Sequence, residues 1–253
     1  SNPFGISIDN FTGGDTFNVN VNENVNLGTG TLDVTADADA TDLTVTGTTD
    51  AGDVTITGAG GAASATFTGD VDVGALDVVG GGAGGASVTD SGNLTTTGLT
   101  LNESATDSTA TLTLNGSDGA QTVAGTVDGT TDGDGSIVVD NADGVTFSGI
   151  VGGGARVGSL DVTSGTAQFD DDATFDGDVT GNAIELNTTG DLNLNGANGA
   201  QTVSATIDGV GSVNGDIVAG NADGVTFTGV IGGNGEVNTF TANEDAQFNA
   251  DAT

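Results

Sequence analysis

Leu43-Thr44-Val45-Thr46, Val54-Thr55-Ile56-Thr57, Ala65-Thr66-Phe67-Thr68 and Leu76-Asp77-Val78 start at evenly spaced positions, 43, 54, 65 and 76. Each is a short run in which apolar and polar side chains alternate. In a strand, successive side chains point to opposite faces, so this alternation puts the apolar set on one side. Most of the apolar positions are β-branched or aromatic, and Gly, Asp and Asn bound the runs, as in half-buried strands. Phe17/Val19/Val21, Leu99/Leu101, Leu112/Leu114, Ile137/Val139, Ile184/Leu186 and Leu192/Leu194 alternate in the same way. No stretch shows the 3.6-residue spacing and caps of a helix, and 46 glycines oppose one. The fold class expected is all-β.

A longer period runs over the short one. Leu114-Asn115-Gly116-Ser117-Asp118-Gly119-Ala120-Gln121-Thr122-Val123 returns as Leu194-Asn195-Gly196-Ala197-Asn198-Gly199-Ala200-Gln201-Thr202-Val203, so that position 114 maps onto 194. In the same register Asn141-Ala142-Asp143-Gly144-Val145-Thr146-Phe147 matches Asn221-Ala222-Asp223-Gly224-Val225-Thr226-Phe227, and after a one-residue deletion Ala167-Gln168-Phe169 matches Ala246-Gln247-Phe248. A fainter copy precedes both, with Leu32, Leu43 and Phe67 standing one such period before Leu112, Val123 and Phe147. The organisation expected is residues 1–30 as a connector with edge strands, then a repeat region over 31–253, divided at about 31–110, 111–190 and an incomplete 191–253.

Two architectures deliver many short strands at this spacing. Tandem immunoglobulin-like β-sandwiches suit a unit of this size. An elongated β-solenoid, or β-helix, suits it better, because coils that stack on one another make neighbouring strands resemble each other. The small aliphatic core residues and the absence of Trp and Tyr point the same way. Alternation places Leu43, Val45, Val54, Ile56, Phe67, Leu76, Val78, Leu112, Leu114, Val123, Phe147, Phe169, Val203 and Phe227 inward.

The chain carries 36 acidic side chains, one basic residue (Arg156) and no His, for a formal charge of −35. Such a surface repels phosphates and anionic lipid headgroups, which excludes nucleic-acid binding and a basic membrane anchor. With no Cys, Lys or His there is no thiolate, Schiff-base lysine or imidazole base. No run is apolar enough for a membrane span. Without Met, residue 1 is not expected to be the translation start. An acidic, Lys-free surface is tolerated in salty, calcium-containing water, where screening and bound cations relieve self-repulsion, so the location expected is extracellular or at the cell surface.

Gly144-Val145-Thr146-Phe147-Ser148-Gly149-Ile150-Val151-Gly152-Gly153 and its counterpart Gly224-Val225-Thr226-Phe227-Thr228-Gly229-Val230-Ile231-Gly232-Gly233, with Ser159-Leu160-Asp161-Val162-Thr163 downstream, resemble the β-strand repeats of bacterial cell-surface proteins. Among these are haemagglutinin-like and autotransporter-type adhesins and surface-layer proteins. The resemblance covers the chain after about residue 30 and implies an exported, elongated structural or adhesive protein.

The candidate cofactor is Ca²⁺, which prefers hard oxygen ligands in turns. The candidate ligands are Asp170, Asp171, Asp172, Asp176 and Asp178, with Asp128, Asp132 and Asp134 as a second group and Asp37, Asp39 and Asp42 as a third. None completes an EF-hand loop: Ile137 follows Asp132-Gly133-Asp134-Gly135-Ser136 where glycine is needed. The Asn-Ala-Asp-Gly pairs at 141–144 and 221–224 are expected to be corner turns. The paired threonines at 44/46, 55/57, 66/68 and 111/113 are expected on different faces in succession, as exposed strand residues. No enzyme is expected, since sugar-cleaving solenoids need basic groups or aromatic platforms beside their carboxylates.

The function expected is an extracellular structural protein that self-assembles into a filament or surface layer. The alternative is the stalk or binding segment of a surface adhesin. The partner expected is a second copy, head to tail, through Phe4, Ile6, Ile8 and Phe11 at one end and Phe240 and Phe248 at the other, because neither end shows a polar cap. Cell-surface glycans are the further candidate partner.

Overall fold

A computed structural model of the chain describes residues 5–10, 16–105, 108–197, 199–211 and 214–252. Among these residues every regular element is a strand and none is a helix. The strands stack in parallel as a β-solenoid of about ten coils, which settles the choice against sandwiches.

Each coil has three faces, and some strands run across two of them, as Val71–Gly80 does. Leu32–Ala36, Thr41–Val45 and Thr49–Ala51 form one coil, and each pairs with the strand one coil further on: Leu32 opposite Val54, Thr41 opposite Ala63, Thr49 opposite Val71. The step from Leu43 to Val54 is therefore half a coil, and Leu43 meets its true neighbour at Ala65. The short strand Thr49–Ala51 occupies the third face between Leu43 and Val54.

The register builds three inward columns. The first runs Ile6, Leu32, Val54, Leu76, Leu99 and Val127, and continues through Val151, Ala173, Leu192 and Ile217 to Phe240. The second runs Val19, Leu43, Ala65, Val88, Leu112, Ile137, Leu160, Val179, Val203, Phe227, Phe248. The third includes Val71, Leu94, Val123, Phe147, Phe169 and Leu186. Every side chain read as inward from the alternation is buried. Like stacks on like: Phe147 lies on Phe169 with ring centroids 5.2 Å apart and planes 16° from parallel, and Phe227 on Phe248 at 5.2 Å and 12°.

The described part of residues 1–30 is built on the same plan. Ile6–Asn10, Phe17–Val21 and Val25–Asn26 pair in register with Leu32–Ala36, Thr41–Val45 and Thr49–Ala51. Phe4 and Phe11 lie outside the described residues.

The long sequence repeat and the coil do not coincide. Leu112 belongs to the second column, whereas its repeat partner Leu192 belongs to the first. Likewise Phe147 is in the third column and Phe227 in the second. The duplicated sequence thus builds the same local structure one face short of a whole number of coils. At both Gly144 and Gly224 the corner takes φ +91°, open to glycine but strained for other residues. At Gly149 and Gly229 the constraint is space, since a Cβ would lie 2.3 Å from Gly125 O in one copy and 2.0 Å from Ala205 O in the other.

Phe147 is 1% exposed and stacked on Phe169, so Phe147→Asp puts an unpaired charge into the column. A loss of about 4 kcal/mol or more is expected. Urea denaturation of the variant against the parent measures it.

Candidate functional site

The corners between faces hold the polar chemistry. Coils lie about 4.8 Å apart, so each corner meets the next one directly. The duplicated segment makes one corner twice. Gln121 is buried, and its Nε2 donates to Asp90 O at 3.0 Å and Gly92 O at 2.6 Å while its Oε1 accepts from Gly116 N at 2.7 Å. Asn141 Nδ2 donates to Gln121 Oε1 and to Gly119 O, both at 3.0 Å, and Asn141 Oδ1 accepts from Asp143 N at 2.9 Å. In the second copy Gln201 grips Phe175 O, Gly177 O and Gly196 N, and Asn221 reaches Gln201, Gly199 O and Asp223 N. The two Asn-Ala-Asp-Gly turns are corner turns, each closed by the Asn side chain. Alternation with the inward Val123 and Val203 puts Gln121 and Gln201 on the inner face, but which backbone groups they would grip was hidden in the sequence.

The carboxylates named as candidate calcium ligands are spread along the coils, and five of them, Asp128, Asp132, Asp172, Asp176 and Asp178, accept backbone NH groups of the next coil. Asp128 accepts from Gly154 N at 2.7 Å, Asp172 from Asp191 N at 3.3 Å and Asp178 from Thr202 N at 2.7 Å. Asp170 takes the side-chain amides of Gln168 and Asn187, Asp171 the NH of Asp172, and Asp134 both the NH and hydroxyl of Thr131. In the third group, Asp42 accepts from Ser64 Oγ. Among the described residues no three carboxylates are grouped so as to hold a metal ion.

Asp132 and Asp176 come together through Arg156. The guanidinium reaches Asp132 Oδ2 at 2.9 Å and Asp176 Oδ1 at 3.1 Å, so the single basic side chain ties three consecutive coils. Asp176 also accepts from Ala197 N at 3.0 Å. In the repeat, Glu236 stands where Arg156 does and Ser212 where Asp132 does.

Two carboxylates on one corner are shifted in opposite directions. Partial burial holds Asp172 above its ordinary range, and the neighbouring Asp191 and Asp171 add to the effect. Asp216 is held below its ordinary range by the Thr239 hydroxyl and the Asn238 amide.

Each copy of the duplicated corner borders a shallow groove. One, of about 350 Å³, is lined by Asp70, Asn93, Asp118 and Gln121; the other, of about 420 Å³, by Glu103, Asp178, Gly199 and Gln201. No cationic side chain lines either. On the second face, Thr44, Thr66, Thr89 and Thr113 stack outward in four successive coils, beside Asp42, Ser64, Ser87 and Thr111. Thr55 falls on the first face, so successive pairs do separate, while alternate ones align.

The outermost described coils expose what the interior hides. Ile6 and Phe17 are 37% and 46% exposed, and Phe248 is 42% exposed although stacked on Phe227. Phe240 packs edge-on against both Phe227 and Phe248.

Stacked coils, a continuous apolar axis and duplicated corners define a β-solenoid repeat protein. No family model, curated protein or solved structure matches the chain.

Gln201→Leu deprives Phe175 O, Gly177 O, Gly196 N and Asn221 Nδ2 of their buried partner, whereas Thr202→Ala alters an outward position. A cost of about 3 kcal/mol is expected for the first and under about 0.5 kcal/mol for the second. Chemical denaturation of the two variants distinguishes them.

Proposed function

We propose that the chain is an extracellular structural protein that extends by stacking coil on coil, and that a second copy continues its axis head to tail into a filament or surface layer. The observation that carries this reading is the state of the outermost described coils. The inward columns continue to Ile6 and Val19 on one side, with the exposed Phe17 beside Val19, and to Phe240 and Phe248 on the other, where no further coil among the described residues covers them. The strands there also offer a backbone edge, which is a template for another strand. A heterologous contact of this kind does not close, so it builds an open fibre. In the alternative reading, the stalk of an adhesin, the next coil belongs to the same polypeptide and glycans meet a tip elsewhere.

Electron microscopy of the full chain and of a form lacking residues 1–11 tests the proposal. Filaments for the first and folded, soluble monomers for the second are expected, because the deletion removes Ile6 and Ile8. Filaments that persist unchanged would sink strand-to-strand stacking at this end, and monomers in both cases favour the stalk.

Calcium enters as part of the same proposal. Thirty-six acidic side chains against one Arg leave the coils in need of counterions, and divalent ions that bind only the folded coils stabilise them. Thermal melts in chelator and in millimolar Ca²⁺ at matched ionic strength are expected to differ, with the higher midpoint in Ca²⁺. Equal midpoints remove calcium from the account.

A further inference from the structure

Asp90 stands where the fold calls for an apolar side chain. It closes the strand Ala86–Asp90, whose alternation turns Ala86, Val88 and Asp90 inward. In the column it lies between Phe67 on the preceding coil and Leu114 on the following one, with Val45 and Val139 beyond them. The duplicated corner supplies an internal comparison. Gln121 grips Asp90 O and Gly92 O, while Gln201 grips Phe175 O and Gly177 O, so the residue equivalent to Asp90 is the fully buried Phe175. Asp90 is itself 0% exposed. Its Oδ1 accepts from Gly92 N at a long 3.4 Å, and its Oδ2 has no partner among the described residues.

No cationic side chain faces it. Of the strands packed against Ala86–Asp90, Ala63–Phe67, Ala110–Leu114 and Val54–Gly58 carry no ionisable side chain. Val71–Gly80 carries Asp72 and Asp77 at outward positions. Asp70, just before that strand, and Asp118, in the turn after Leu114, line the adjoining groove and are acidic too. The one basic side chain, Arg156, is held by Asp132 and Asp176.

We propose that Asp90 is a proton-operated latch in the solenoid: protonated, it is a neutral member of the core and the coil is shut, whereas ionised, it loosens Ala86–Asp90 and the strands stacked on either side. Burial pushes its carboxyl up to about 7, with Asp70 adding to the effect and the NH groups of Gly92 and Ser91 opposing it. An unfolded chain gives up this proton near 3.8, so between there and about 7 the folded chain holds one proton more. Stability from this group is therefore greatest at the acid end, falls as pH climbs to about 7 and is level above it. Ordinary carboxylates have finished ionising by about pH 5.5 and the chain has no His, so for the interval from there to neutrality the raised carboxyls among the described residues are Asp90 and Asp172.

The test is the stability of the full chain from pH 5.5 to 8 at fixed ionic strength, by urea denaturation and thermal melting, for the parent, Asp90→Asn, Asp90→Leu and Asp172→Asn. The parent and Asp172→Asn are expected to lose stability up to about pH 7 with a slope approaching one proton, and then to level off. Both Asp90 variants are expected to be flat, with Asp90→Leu above the parent at pH 8. Hydrogen exchange at pH 8 locates the effect, with amides of Ala63–Phe67, Ala86–Asp90 and Ala110–Leu114 at least about tenfold slower in Asp90→Leu than in the parent. If Asp90→Leu does not fold, the parent and Asp90→Asn decide. A parent profile that is flat over this interval, or a slope that survives in Asp90→Asn, overturns the proposal.

Discussion

Parallel hydrogen bonding between coils is the constraint from which the rest follows. Along the described coils it places most strand residues directly against their equivalents one coil away, at about 4.8 Å, with bulges between Thr95 and Gly98, Val139 and Asp140, and Val162 and Thr166. Apolar residues gain from this arrangement, since a column of Val, Leu, Ile and Phe buries itself without a second layer. Charged residues do not, because like charges one coil apart repel across a short distance. Several acidic side chains are engaged between coils, where Asp128, Asp172 and Asp178 each accept a backbone NH from the following coil. An acid that would otherwise repel its neighbour becomes a link to it.

The same constraint explains the glycines. A corner that must sit on the corner below leaves no room for a Cβ, as at Gly149 and Gly229, where the carbonyl of the previous coil already occupies the place. Where the corner turns instead of only passing over, a buried amide completes it. Gln121 and Gln201 each satisfy two carbonyls and one NH that the turn would otherwise strand. These amides make the corner rigid from inside, so the outer surface is left to hydroxyls and carboxylates.

The faces were legible in the sequence because strand alternation is a local property. Leu43, Ile56, Phe67 and Phe227 could be placed inward from their immediate neighbours alone, and all are buried. The corners were not legible. Whether Asp170 or Asp178 serves a metal or a backbone NH depends on which residue lies one coil away, and coil length varies along the chain. Leu76 pairs with Leu99, Leu99 with the more distant Val127, and Ala173 with the much nearer Leu192. No fixed offset in the sequence pairs one corner with the next. Asp90 was missed for a related reason. Ser-Val-Thr-Asp before Ser-Gly-Asn reads as a strand running out into a turn, and only the register with Phe67 and Leu114 shows the acid still inside.

The mismatch between repeat and coil gives the molecule a symmetry of its own. Because one repeat carries the chain round to a different face, the two Gln–Asn corners are related by a screw operation: a rise along the axis combined with a turn about it. A partner that recognised one corner would find the second at another azimuth, out of reach of a flat surface lying against the first. Lengthening such a chain by further duplications of the same segment would wind these corners into a spiral, presenting the motif successively to all sides.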